Sequence, residues 1–135
     1  MTQLPLVLLV DDEPLLRETL VEILSGEGFQ AVSAGDSAAA MRLFEEMNPH
    51  LVICDVVMPG TSGIDTAKQL RQRSAAVPII LFSGQAAATD LIASAQSEGY
   101  NFEVLAKPIK PETLISVIRQ QLNEAGSSSL RHAHE

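Results

Sequence analysis

The sequence predicts an α/β fold: an open, doubly wound parallel sheet with helices on both faces. Two observations carry this. Short, almost unbroken apolar runs recur along the chain, as in Leu6–Val10 and Leu51–Cys54. Strands buried on both faces read this way, and parallel sheets require such strands. Between these runs lie segments whose apolar residues fall at helical spacing, so strand and helix alternate five times. Right-handed crossovers then place helices on both sides of the sheet.

Each element has its own signal. Leu6–Val10 is the first strand. Glu13–Ser25 follows with Leu15, Leu16, Leu20, Ile23 and Leu24 at helical spacing, Pro14 suited to a first turn, and Gly26 and Gly28 as the stop. Phe29–Ala34 reads as the second strand. Asp36 or Ser37 can cap a helix that runs to about Met47, with Met41 and Phe44 on one face. Leu51–Cys54 is the third strand, and a loop leads from it to a helix at Ile64–Arg73. Pro78–Phe82 is the fourth strand, followed by an alanine-rich helix near Ala86–Gln96. Phe102–Leu105 is a weaker fifth strand. The last helix is Pro111–Leu122, with Leu114, Ile115, Ile118 and Leu122 as its apolar face.

Composition bounds what such a chain can do. At 135 residues, 46% hydrophobic and 19% charged, it is one globular domain with a real core. We place that domain at residues 1–124 and a flexible tail at 125–135, where Gly126-Ser127-Ser128-Ser129 carries no apolar periodicity. The longest apolar stretches, Leu4–Val10 and Val77–Phe82, fall far short of the roughly 18 residues a spanning helix needs. The first apolar run has no basic region before it and ends in Asp11, Asp12 and Glu13, unlike a secretory signal. Cys54 is the only cysteine, which excludes an internal disulfide and fits a reducing cytoplasm. The net charge is −8, with 9 basic against 17 acidic residues and no basic cluster, so direct nucleic-acid binding is not expected.

The polar residues fall in telling places. Asp11 and Asp12 follow the first strand, Asp55 the third and Lys107 the fifth, while Ser83 ends the fourth. In an open parallel sheet these carboxyl ends share one edge, where ligands bind. Clustered carboxylates repel one another and demand a cation, and hard oxygen ligands favour Mg²⁺ over zinc. One carboxylate can then act as a nucleophile toward a phosphoryl group. Lys107 offers a positive charge and Ser83 a hydroxyl to the phosphoryl oxygens.

At these residues the chain resembles a known family. Asp11-Asp12-Glu13-Pro14, Asp55 with Met58-Pro59-Gly60 and Gly63, Ser83-Gly84, and Lys107-Pro108 look like the signature of the bacterial response regulator receiver domain. The resemblance covers about residues 5–123. It implies a flavodoxin-like receiver fold with strand order 2-1-3-4-5. It implies that Asp55 accepts a phosphoryl group from a histidine kinase or a histidine phosphotransfer protein. Asp11, Asp12, Asp55 and the backbone carbonyl of Val56 would bind Mg²⁺. Ser83 and Lys107 would hold the phosphoryl oxygens, the Lys107–Pro108 bond would be cis, and Gly60 and Gly63 would serve the tight loop beyond Asp55.

The chain departs from the family pattern in places. Ser83 stands where threonine is more common. Val104 stands where the family commonly has Tyr or Phe, with Phe102 on the same strand face as the candidate substitute. The stretch from Ser83 to Lys107 is slightly long, with the excess near Gly99-Tyr100-Asn101. Val57 and Gln85 sit where the family tunes phosphoryl lifetime.

Plainer readings account for other residues. Cys54 fits a buried strand better than a redox sensor. His132 and His134 lie in the serine-rich tail, and His50 has no partner visible in the sequence. The expected function is therefore a phosphoacceptor switch of a two-component system. It is not an enzyme beyond its own aspartyl phosphorylation and dephosphorylation. We expect it in the cytoplasm, as a monomer or weak homodimer, with no direct contact to membrane or nucleic acid, signalling through a protein partner or by relay. The alternative is a phosphorylation-independent interaction module on the same fold. A phosphohydrolase with an aspartyl intermediate is disfavoured, because Val57 replaces the second carboxylate of an Asp-x-Asp pair.

Overall fold

The computed structural model describes residues 4–58, 61–84 and 87–134. Pro59, Gly60, Gln85 and the side chains of His132 and His134 lie outside the described part. The chain runs β1 (Leu6–Val10), α1 (Pro14–Gly26), β2 (Gln30–Ala34), α2 (Ser37–Met47), β3 (Leu51–Asp55), β4 (Val57–Met58), β5 (Thr61–Ser62), α3 (Gly63–Arg73), β6 (Ile79–Ser83), α4 (Ala87–Ser97), β7 (Glu103–Ala106) and α5 (Pro111–His134). The main sheet has five strands in the order β2-β1-β3-β6-β7, and every pairing in it is parallel. Counting only the strands of that sheet, this is the 2-1-3-4-5 order implied by the resemblance.

The central strands alternate between two apolar layers. Leu8, Val10, Val52, Cys54, Ile79 and Leu81 face Ala40 and Phe44 of α2, Ile64, Ala67 and Leu70 of α3, and Ala95 of α4. Val7, Leu9, Leu51, Ile53, Ile80 and Phe82 face Leu20 and Leu24 of α1 and Leu114, Ile115 and Ile118 of α5. Successive side chains point to opposite faces, so an unbroken apolar run fills both layers at once.

Local chemistry sets the helix starts. Asp36 is the N-cap of α2 and accepts from the Ala39 N–H at 2.8 Å. Ser62 caps α3 by accepting from the Ile64 N–H at 3.1 Å. His50 gains a role that the sequence does not suggest. Its Nδ1 accepts from the Leu6 N–H at 3.0 Å, while its own N–H donates to the Leu6 carbonyl at 2.8 Å, fixing the start of β1 against β3.

Two stretches differ from expectation. The loop after Asp55 contains the short antiparallel pair β4–β5, with Val57 opposite Ser62. Two-residue strands are too short for alternation to register in a sequence. The last helix continues past Leu122 to His134, through the segment read as a flexible tail. One glycine costs a helix only about 1 kcal/mol relative to alanine, and no proline follows Pro111 to stop it.

Candidate functional site

Asp11, Asp12, Asp55, Ser83 and Lys107 all lie at the carboxyl edge of the sheet, as the alternation predicts. Carboxylate oxygens of Asp11, Asp12 and Asp55 lie within 4.8 Å of one another. Asp11 is fully buried and Asp55 nearly so, at 0% and 6% exposed, while Asp12 is half-buried. Lys107 reaches over both buried acids: its Nζ donates to Asp55 Oδ2 at 2.9 Å and lies 3.5 Å from Asp11 Oδ2. The Lys107–Pro108 peptide is cis.

Each acid is held by backbone. The Glu13 N–H donates to Asp11 Oδ1 at 2.9 Å, and the Val57 N–H donates to Asp55 Oδ1 at 3.2 Å. The other oxygen of Asp11, Oδ2, is buried without a hydrogen-bond partner among the described residues. Its ammonium neighbour supplies charge at a distance too long for a strong bond. Burial pushes the Asp11 carboxyl above its ordinary value, and the Glu13 N–H and Lys107 offset this only in part. Burial alone would lower Lys107, but its bond to Asp55 and the charges of Asp11 and Asp55 outweigh that and raise it.

A divalent cation fits this arrangement. It would give the orphaned Asp11 oxygen a partner and neutralise a crowded set of hard oxygen donors. The Val56 carbonyl, expected as a further ligand, accepts from the Gly63 N–H at 2.8 Å, and a carbonyl oxygen carries a second lone pair. Gly63 is required here by close approach: a Cβ on it would lie 1.6 Å from the Asp55 carbonyl oxygen. Gly84 likewise lets the lysine pass, since a Cβ there would lie 3.2 Å from Lys107 Cβ.

A cavity of about 820 Å³ opens over Asp12, Asp55 and Lys107, walled by Leu16, Leu20, Val57, Met58 and Ile109. Ser83 lines a second cavity of about 540 Å³, together with Gly84, Lys107, Ile92 and Val104. Lys107 and Gly84 border both spaces. Val104 therefore sits at the floor of a space under α4. Phe102 is engaged elsewhere, stacked on Tyr100 at 5.8 Å between ring centroids. Tyr100 in turn accepts from Gln72 Nε2 at 3.2 Å, and Glu98 meets Lys68 Nζ at 2.8 Å, so the slightly long turn before β7 is tied to α3.

Cys54 is buried, and burial followed by the nearby Asp55 and Asp11 charges pushes its thiol up to about 12, which suits a core residue. Sequence reasoning missed Arg17, whose Nη1 donates to the Asp11 carbonyl at 2.7 Å. Its signal in the sequence is that it is the one basic residue of α1. Among the described residues, no helix is long and apolar enough to cross a membrane.

Comparison with known proteins agrees with this geometry. A family model described as the response regulator receiver domain matches residues 7–119. The DNA-binding response regulator MtrA of Mycolicibacterium smegmatis is 35% identical over 116 residues, covering 86% of this chain and 50% of that protein. The chain thus spans about half the length of the curated relatives it matches. A receiver domain from Clostridium thermocellum superposes with a TM-score of 0.82 at 28% identity, covering 90% of this chain and 96% of that one. A CheY-like receiver domain from Methanospirillum hungatei shares the fold, with a TM-score of 0.84 at 21% identity over 93% of this chain and 98% of that one. With the receiver fold, the acidic cluster at its carboxyl edge and a family match over most of its length, the chain belongs to the response regulator receiver domains of two-component signalling systems.

Proposed function

We propose that this chain is a phosphoacceptor switch, with Asp55 as the nucleophile. An Asp55 carboxylate oxygen forms a bond to phosphorus, and the phosphorus–nitrogen bond of a phosphohistidine breaks. The imidazole leaves and takes up a proton from solvent. The donor is a histidine kinase or a histidine phosphotransfer protein. The observation that carries this reading is the placement of a nearly buried carboxylate, 2.9 Å from a lysine ammonium and within 4.8 Å of two further carboxylates, beside an open cavity.

Asp11, Asp12, Asp55 and the Val56 carbonyl would hold Mg²⁺. When bound, the ion offsets negative charge on the phosphoryl oxygens. The chain's own residues do the rest. The Val57 N–H orients Asp55 through Oδ1. Lys107 exchanges its bond to Asp55 Oδ2 for one to a phosphoryl oxygen, and Ser83 offers its hydroxyl from the neighbouring cavity. Because Lys107 borders the space above Val104, its movement couples the site to α4, and a protein partner or a relay histidine reads the result. We place the protein in the cytoplasm as a monomer or weak homodimer.

The test is intact mass after incubation with Mg²⁺ and acetyl phosphate, beside Asp55→Asn. One phosphoryl adduct on the wild type and none on the variant is expected. A folded, Mg²⁺-binding wild type that gives no adduct and does not respond to beryllofluoride would turn the assignment to a phosphorylation-independent interaction module.

A further inference from the structure

Residue 11 is held at three points. Its N–H donates to the Ala34 carbonyl at 3.1 Å, its Oδ1 accepts from the Glu13 N–H at 2.9 Å, and its carbonyl accepts from Arg17 Nη1 at 2.7 Å. The first two are local consequences of the strand end and the helix start. The third is a charge-assisted bond from a side chain one turn into α1, lying back toward the helix N-terminus as helical side chains do. Its backbone N–H is already used, donating to the Glu13 carbonyl at 3.0 Å.

The carbonyl of residue 11 belongs to the same planar peptide as the N–H of residue 12. Fixing that carbonyl fixes the peptide plane, and the plane sets where the Asp12 side chain leaves the backbone. Asp12 itself is half-buried, and among the described residues no side-chain hydrogen bond or ion pair holds its carboxylate. Its position relative to Asp55 thus depends on the backbone that carries it.

Gly35 completes the device. A Cβ on it would lie 2.7 Å from Arg17 Nη1 and 3.2 Å from its Cζ, so the guanidinium rests against a backbone that has no side chain there. Gly35 and Asp11 are joined through Ala34, whose carbonyl binds the residue 11 N–H. The guanidinium therefore wedges between the end of β2 and the end of β1.

We propose that Arg17 is a positioning residue of the phosphoryl-transfer site: seated on Gly35 and bound to the Asp11 carbonyl, it sets the Asp11–Asp12 peptide and with it the Asp12 carboxylate. The proposal rests on the reading that Asp11, Asp12 and Asp55 form a divalent-cation site for phosphorylation of Asp55. Loss of a partner that orients a ligand costs about tenfold to a hundredfold in metal affinity.

Two substitutions remove the contact by different means. Arg17→Ala deletes the donor. Gly35→Ala keeps the charge but displaces the guanidinium, which is the flexible end of a side chain and can move at little cost to the fold. Titration calorimetry with Mg²⁺, and with Mn²⁺ as a second probe, reads the effect without any phosphoryl transfer. Both variants are expected to bind the ion about tenfold more weakly. Arg17→Lys, which keeps a donor but not the planar fork, is expected to recover part of the affinity. In acetyl phosphate labelling, the half-saturating Mg²⁺ concentration is expected to rise by more than the maximal rate falls.

A folded Gly35→Ala that binds Mg²⁺ as tightly as wild type overturns the proposal, even if Arg17→Ala fails to fold. A wild type that binds the ion but takes no phosphoryl group sinks the phosphoacceptor reading and leaves the Arg17 comparison intact. A wild type that binds no divalent ion overturns both.

Discussion

Asp11 shows how a fold can leave a single residue in a costly state. Its carboxyl is fully buried, one oxygen has no hydrogen-bond partner among the described residues, and burial raises its pKa above the ordinary value of 3.8. A folded-state value above the unfolded one means the folded protein binds the proton more tightly. Stability contributed by this group therefore falls as pH rises from about 3.8 through the raised value, and stays low above it. Asp11→Asn removes that titration. We predict that it raises the metal-free Tm at pH 7, flattens the acid-side slope of stability, and weakens Mg²⁺ binding. Thermal melts between pH 4 and 7, with and without Mg²⁺, measure all three. Lys107 is raised as well, so its contribution also falls as pH rises, in a far more alkaline window. Its raised value means its contribution is present below 10.5 and is lost as pH rises through the raised value. Lys107→Ala is predicted to leave Mg²⁺ affinity equal or tighter, because a positive charge beside the ligands is gone. Calorimetry showing a large loss of affinity in a folded variant would assign Lys107 to holding the ligands in place.

Among the elements, the start of α3 makes a close approach to the end of β3. Asp55 ends β3, the β4–β5 pair follows, and Gly63 brings the start of α3 back within bonding distance of the Val56 carbonyl. A Cβ at 63 would collide with the backbone oxygen of Asp55, which cannot move aside as a side chain can. Gly63→Ala is predicted to cost about 3 kcal/mol or more in urea unfolding, at the upper end of overpacking effects. Asp36 is a milder case, at the start of another helix in the same layer. Its carboxylate caps α2 at an exposed position, and Asp36→Ala is predicted to cost about 1 kcal/mol with no change in Mg²⁺ affinity. The turn before β7 shows an element-scale property that the sequence only hinted at. The slight excess of length near Tyr100 ties the end of α4 to α3 through Tyr100 and Glu98. Phe102 is thereby committed to stacking on Tyr100, and Val104 is left facing the space under α4.

At the scale of the whole molecule, the site and the fold share one free-energy balance. A cation that binds the folded state alone stabilises it by RT ln(1 + [L]/Kd), about 2.7 kcal/mol at a hundred times Kd. For a domain of this size we predict that saturating Mg²⁺ raises Tm by on the order of 10 °C, reversed by EDTA. The same titration on Asp55→Asn should give a smaller shift, since one of the three carboxylates is gone. Much of this molecule was legible in its residues. Unbroken runs such as Leu6–Val10 and Leu51–Cys54 specified strands buried on both faces, and helical spacing in Leu16–Leu24 and Leu114–Leu122 specified one covering layer, although Leu15, read onto the same face, stands 77% exposed. Because strands of a parallel sheet all point the same way, a polar residue at each carboxyl end had to arrive at one edge. The sequence by itself therefore determined which residues share the site. It could not determine their contacts, which join positions far apart in the chain. Lys107 meets Asp55 across 52 positions, and His50 meets Leu6 across 44. Those pairings, the unpartnered oxygen of Asp11, the seat of Arg17 on Gly35 and the place of Ser83 in a neighbouring cavity were decided only by tertiary structure. The physical reason is range: periodicity reports the burial of each segment against its neighbours, whereas hydrogen bonds and close packing depend on ångström-scale distances fixed by how the crossovers stack.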